Sequence, residues 1–267
     1  MSGPTSTKTQ SDLEPLVARA FFYKLLAAWF RHPESAETQE FIEETSSRWQ
    51  EIASRLKSPL TTPLSLLMGR EVGEGHINKE RVKETLGQLL KQYHETTRGE
   101  WVNQYERCFG HTAHSRVPAY ELEHGEEHSH RQPQELADIA AFYQAFGLQV
   151  SGKNRERADH ISVECEFMYY LLYKEAYAVS GEEVEKVSIC REASQHFFSQ
   201  HLGYWVPAFL FRLSKVAGAD LLKRVACFAL AFIFEESDAL DAKTGREDLP
   251  IRMIQEKEET GCVSCLH

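Results

Sequence analysis

Sustained alternation of apolar and polar residues is missing from this 267-residue chain. So are a strand–helix–strand pattern and any internal repeat. Their absence excludes sheet folds and solenoids and predicts an all-α protein. Every apolar run is interrupted by charge, which excludes a membrane-spanning helix. Met1 to Gln10 is polar and lacks the apolar stretch of a secretory leader. Of the six cysteines, Cys108, Cys165, Cys190 and Cys227 are scattered in helical or apolar contexts. Together these features predict a reduced, cytoplasmic chain. The glycines nowhere form G-x-G-x-x-G or G-K-[ST] after a strand, so no phosphate cradle is expected. Positive charge is scarce: 30 Lys and Arg stand against 40 Asp and Glu, a net charge of −10. An acidic surface repels phosphate backbones, which argues against nucleic acid as a partner, and attracts basic peptides.

What is present is organised around Glu156 to Tyr177, ERADHISVECEFMYYLLYKEAY. Ile161, Cys165, Met168, Leu172 and Ala176 recur at steps of four, three, four and four, which is one helical face. Phe167 and Leu171 widen that stripe and predict a largely buried helix. Asp159 stands where an N-cap belongs, able to accept from an orphan backbone N–H and to meet the helix dipole. His160 precedes Glu164 by one turn, so imidazole and carboxylate can meet. Two readings stand. One is a capped core helix with a surface histidine; the other is a binding site at the helix mouth, formed by Asp159 and His160.

Around it the chain reads as helices. Residues 1–11 are Ser/Thr-rich and expected to be disordered. A helix from near Asp12, apolar nearly all round, stops before His32-Pro33. A second spans about Glu37 to Leu56, and Thr61 to Asn78 reads as a short turn and a glycine-rich loop. Another helix starts at Lys79. Trp101 to Gly110 leads into a polar stretch, about 110–134, with His111, His114, His124, His128 and His130 beside Glu121, Glu123, Glu126 and Glu127. An exposed loop is expected there, with a divalent-metal role for His128, His130 and the acids as the alternative. Leu136 to Leu148 is an amphipathic helix stopped by Gly147. Residues 149–157 link it to the central helix. Glu182 to Gly203, Tyr204 to Ala217 with Pro207 in its first turn, and Asp220 to Leu240 complete the set.

Several short motifs resemble the TorD/DmsD/NarJ family of molybdoenzyme-maturation chaperones. The family's D-H…E-L-x-F-M stands here as Asp159-His160 and Glu164-Cys165-Glu166-Phe167-Met168. Ala158 replaces the usual Pro before the Asp, and Cys165 the usual Leu. Its Y-x-x-L-F is present as Tyr105, Cys108 and Phe109, and its P-x-Y-E as Pro118, Tyr120 and Glu121. His201, Leu202, Trp205, Pro207 and Phe209 form a further matching run. The resemblance spans about Phe21 to Leu240 in matching order. It implies a single globule of roughly ten helices over about residues 12–245, with a hinge near 149–157, found as a monomer or a homodimer. A charged tail, 246–267, follows.

The resemblance further implies no catalysis and no cofactor. The partner would be the apo catalytic subunit of a DMSO-reductase-family molybdoenzyme, with its twin-arginine signal peptide where there is one. Binding would hold the subunit for cofactor insertion before export. A basic, apolar peptide needs acids beside an apolar groove. Asp159 and Glu121 would serve the arginines, Tyr120, Phe142 and Trp205 the apolar part, with Pro118, His160 and Glu164 beside them. Two alternatives remain: a helical metal-dependent phosphohydrolase using Asp159-His160, and an unrelated interaction scaffold. The tail ends in GCVSCLH. Cys262, Cys265 and His267 supply three zinc ligands where a closed site needs four. A redox pair and incidental thiols are the other readings.

Overall fold

The computed structural model describes residues 5–35, 38–44, 79–110, 117–126, 132–150, 156–218 and 221–252. The expectations for 45–56, the loop at 61–78, His111, His114, Glu127, His128, His130, and Cys262, Cys265 and His267 lie outside these residues. Among the described residues there is no strand, only two isolated bridges. The fold is all-α.

Helix α1, Thr5–Phe30, begins earlier than its Ser/Thr-rich start predicts. Once a packed segment has nucleated, each further residue adds a hydrogen bond at little cost, so polar residues join the helix. Tyr23, Leu25, Leu26, Trp29 and Phe30 are sealed from water, as befits a helix apolar on nearly every side. It packs chiefly against α5, Ile161–Ser180. Between them in sequence lie the helical residues 38–44, α2 (Lys79–Glu95), α3 (Arg98–Phe109) and α4 (Gln132–Ala145). Thr97 and Glu100 close a reciprocal capping box on α3. Gly147, at φ +73, ends α4 in the left-handed conformation that glycine adopts without strain.

After α5 come α6 (Val184–Phe197), a π turn (Phe198–Leu202) and α7 (Gly203–Val216), continuous rather than two separate helices. Gly203 makes the junction: a Cβ there would lie 2.5 Å from the buried Phe198 ring. Helix α8, Leu221–Ala239, packs on α7, and α1 is tied to it by Arg19, whose Nε and Nη2 reach the buried Glu236 at 2.6 and 2.9 Å.

Two further segments differ from the sequence expectation. The stretch 110–134 is not an exposed loop in its middle. Val117, Pro118, Ala119, Leu122, His124 and Gly125 are buried, around a single 3-10 turn at Glu121–Glu123. Its polar groups escape water by finding distant partners, which a polar sequence cannot announce. After α8 the chain forms an irregular strap, residues 240–252, laid over α7 and that turn. Pro207 lacks an N–H, so the Gly203 carbonyl has no partner four residues on. It accepts instead from the Gly245 N–H of the strap at 2.9 Å. Of residues 246–252, read from sequence as the start of a tail, Leu249 is buried and Arg252 half-buried, while the others are exposed.

Candidate functional site

The helix mouth is built differently from the sequence expectation. Helix α5 starts at Ile161, and its N-cap is His160, one residue beyond the expected Asp159. Nδ1 of His160 accepts from the Ser162 N–H at 3.2 Å and lies 2.8 Å from Ser162 Oγ. An accepting Nδ1 leaves the proton on Nε2, which faces Glu156 Oε2 at 3.8 Å. The ring is buried, not on the surface, and burial pushes its pKa down to about 4. His160 and Glu164 do not meet through their side chains: each is committed elsewhere, Glu164 to Trp205.

Asp159 is also fully buried. Its carboxylate takes both arms of Arg157, Nε to Oδ1 at 2.9 Å and Nη2 to Oδ2 at 2.6 Å. It accepts in addition from the Leu122 N–H at 3.2 Å. Asp159 therefore holds the 3-10 turn against α5 rather than capping the helix. Backbone pairing does the rest: Ile161 N–H to the Ala119 carbonyl at 3.0 Å and Glu121 N–H to the Asp159 carbonyl at 2.9 Å frame a Tyr120–His160 bridge. The Arg157 guanidinium lies over the Tyr120 ring, 4.6 Å from its centre, and Tyr120 OH donates to Glu156 at 2.8 Å.

One layer deeper, Trp205 Nε1 donates to Glu164 Oε2 at 3.0 Å. Trp205 has no exposed surface, so it offers none to a peptide; it is core, not groove. Glu164 is buried, and its other oxygen finds no donor. Burial, then the nearby charge of Glu121, raise its pKa well above the carboxylate range. Protonation removes the cost of an orphan charge and gives Glu164 a proton to donate to Glu121. The Glu121 carboxylate lies 3.1 Å from His201 Nδ1, and the half-buried Phe142 ring sits 5.3 Å from that imidazole.

The structure thus gathers all eight candidates, Pro118, Tyr120, Glu121, Phe142, Asp159, His160, Glu164 and Trp205, around one end of α5. Sequence reasoning missed Arg157, the in-chain partner of Asp159, though its place two residues earlier was a signal. It also missed His124 as more than a loop histidine. That ring is buried, its Nε2 2.9 Å from the Pro118 carbonyl, and burial lowers its pKa to about 4.

Beside the site open two cavities that share Tyr143, Leu148, Gln149 and Val150. One, of about 300 Å³, runs between Val163, Phe167 and Tyr170, with Lys24 and Glu166 at its wall. The other, of about 380 Å³, reaches Leu136, Glu156 and Arg157. Among the described residues no group of three or more His, Cys, Asp or Glu is placed to hold a metal ion. Asp159 is committed to Arg157 and the Leu122 N–H, and His160 Nδ1 to the Ser162 N–H. Nor, among those residues, is any helix long and apolar enough to cross a membrane.

Comparison with known proteins converges on the same region. Residues 78–210 match the family model described as nitrate reductase delta subunit. Over 100 residues the chain is 32% identical to the chaperone protein TorD of Vibrio cholerae, covering 36% of this chain and 43% of that one. It is 35% identical over 85 residues to the selenate reductase assembly chaperone protein of Thauera selenatis, covering 32% and 42%. It is 32% identical over 74 residues to the perchlorate reductase assembly chaperone protein of Dechloromonas aromatica, covering 27% and 31%. The chain spans less than half the length of these curated relatives, which are named as chaperones and not as catalysts. The Pro118–Glu121 turn, the Asp159-His160 mouth and the His201–Phe209 run all fall inside the matched stretch, and the chain belongs to the TorD/DmsD/NarJ family.

Proposed function

We propose that this protein is a cytoplasmic assembly chaperone for the catalytic subunit of a DMSO-reductase-family molybdoenzyme. It binds the apo subunit, and the twin-arginine signal peptide where the subunit has one, and holds it for molybdenum cofactor insertion before export. The observation that carries this reading is the family match over residues 78–210, with relatives named for the assembly of selenate and perchlorate reductases. The chemistry supports it. The two cavities put apolar walls beside Glu156 and Glu166; Glu166 already pairs with Lys24 and Arg31, so a basic, apolar peptide would bind there by exchanging with those cations. Of the residues expected to bind the client, Glu121, Tyr120 and Phe142 keep some exposed surface, whereas Asp159, His160, Glu164 and Trp205 act by holding the turn in place.

Affinity-tagged full-length protein, recovered from a host grown to induce its molybdoenzymes, tests the reading. A molybdoenzyme catalytic subunit, identified by mass spectrometry, is expected to co-purify. Its absence, in cells that demonstrably contain the subunit, overturns the proposal.

A further inference from the structure

The strap is seated as a peptide ligand would be. Gly125 N–H donates to the Pro250 carbonyl and Arg252 N–H to the Glu123 carbonyl, both at 2.8 Å, framing an antiparallel bridge between His124 and Ile251. This is strand addition to a short extended edge: backbone bonds accept any extended segment, and pockets choose the side chains. Two pockets are filled. Leu249 is buried in the core cluster, and its carbonyl accepts from Arg212. Arg252, three residues on, lays its guanidinium against Gly125 and reaches Glu135 on α4, Nη1 to Oε2 at 2.6 Å. Gly125 stands at φ +116, and a Cβ there would lie 3.1 Å from Arg252 Nη2 and 3.3 Å from Nε, so the cradle requires glycine.

The fit is incomplete. Arg252 Nε is buried without a partner, although its ion pair is well formed. Ile251 is over a third exposed, and Pro250 is exposed too. Leu249–Arg252 is held by two ladder bonds, the Arg212 bond to the Leu249 carbonyl and two side chains, with one donor unsatisfied and much of its surface in water, which makes it exchangeable.

The geometry points to Leu249–Arg252 as a built-in occupant of a peptide groove. An extended client segment, with an apolar residue three positions before an arginine, takes that groove by displacing the strap. The identity of the client rests on the chaperone reading; the groove does not. While the strap is seated it competes at an effective concentration near the millimolar range, so an outside peptide binds the intact protein weakly.

A fluorescein-labelled peptide copying Arg246–Arg252, measured by anisotropy on full-length protein, tests this. Arg252→Ala, and separately Arg252→Ala with Leu249→Ser, empty the pockets without touching their walls; helicity and melting by circular dichroism confirm folding. Either variant is expected to bind the peptide at least about tenfold more tightly than the unmodified protein. Adding Glu135→Arg to Arg252→Ala should abolish that gain, and a peptide with Glu in place of its last Arg should restore binding. Equal binding by folded wild-type and Arg252→Ala protein, or indifference to the Glu135→Arg charge swap, overturns the groove. The peptide experiment needs no client. Failure to capture a molybdoenzyme subunit sinks the chaperone reading alone, and failure to bind the peptide sinks the groove alone.

Discussion

Asp159 carries its charge with none of its surface in water, and this is tolerable because Arg157 and the Leu122 N–H meet it from two sides. Had it been an N-cap, Asp159→Asn would have changed little, since Asn caps as well as Asp. In the observed arrangement the amide loses the charge-assisted fork and presents N–H₂ to donors. The cost is bounded because Arg157 is half in water and recovers solvation. Asp159→Asn is expected to lower unfolding free energy by about 1–3 kcal/mol; a change below about 0.5 kcal/mol in urea denaturation would return Asp159 to a dispensable role. His160 presents the complementary case. His160→Asn retains a capping acceptor, whereas His160→Ala removes it for about 1 kcal/mol. Alanine proving as stable as asparagine would show that the Ser162 bond contributes nothing. Cys165, where the family has Leu, is fully buried among apolar neighbours; burial pushes its thiol pKa well up, so it acts as a small apolar filler.

At the scale of elements, the strap owes its path to two residues without ordinary side-chain chemistry. Pro207 frees the Gly203 carbonyl, and Gly245 comes so close to α7 that a Cβ would lie 1.8 Å from the Tyr204 carbonyl oxygen. Gly245→Ala should therefore detach the strap and leave the helices folded. Proteolysis within 240–252 should accelerate while the far-ultraviolet spectrum stays unchanged; unaltered cleavage would show that the strap is held without this contact. Periodicity made the helices legible: α5, α4 and α8 lie within a few residues of where their apolar spacing puts them. The buried turn was not legible in the same way. Its Leu122 and Val117 are isolated among His and Glu, and what buries them is a set of bonds to Asp159, Arg157 and Arg212 far along the chain. The candidate site was legible as a set of residues, through the order of the family motifs. The roles within it were not, because a carboxylate before a helix looks the same whether it caps the helix or clasps another segment.

For the whole molecule, proton binding sets opposing slopes. His124 and His160 are held near 4 against an ordinary 6.5. Between those values the unfolded chain takes up protons that the folded chain refuses, so stability falls as pH drops through the window. The slope is about 1.4 kcal/mol per pH unit for each histidine. Glu164 acts the other way. Raised above its ordinary value of 4.5, it keeps a proton that the unfolded chain releases, so its contribution declines as pH rises beyond that point. Glu164→Gln keeps an acceptor for Trp205 and removes this drain. Its stability relative to the parent should grow from pH 5 to pH 8, and a difference independent of pH would mean Glu164 is ionised in the fold. The net charge of −10 predicts that capture of a basic client peptide weakens with salt, since exposed pairs are screened over about 8–10 Å near physiological ionic strength, while an apolar share persists. Affinity that is flat across salt would exclude an electrostatic share.

The pair joining Arg19 to Glu236 spans 217 residues. During synthesis at about 5–20 residues per second, α1 emerges roughly 10–40 seconds before α8 exists to receive it. For most of that interval, until α5 is made, a helix apolar on nearly every face lacks its chief partner. The nascent chain is thus exposed to aggregation during its own translation, and slowing elongation between Arg19 and Glu236 should lower the yield of folded protein.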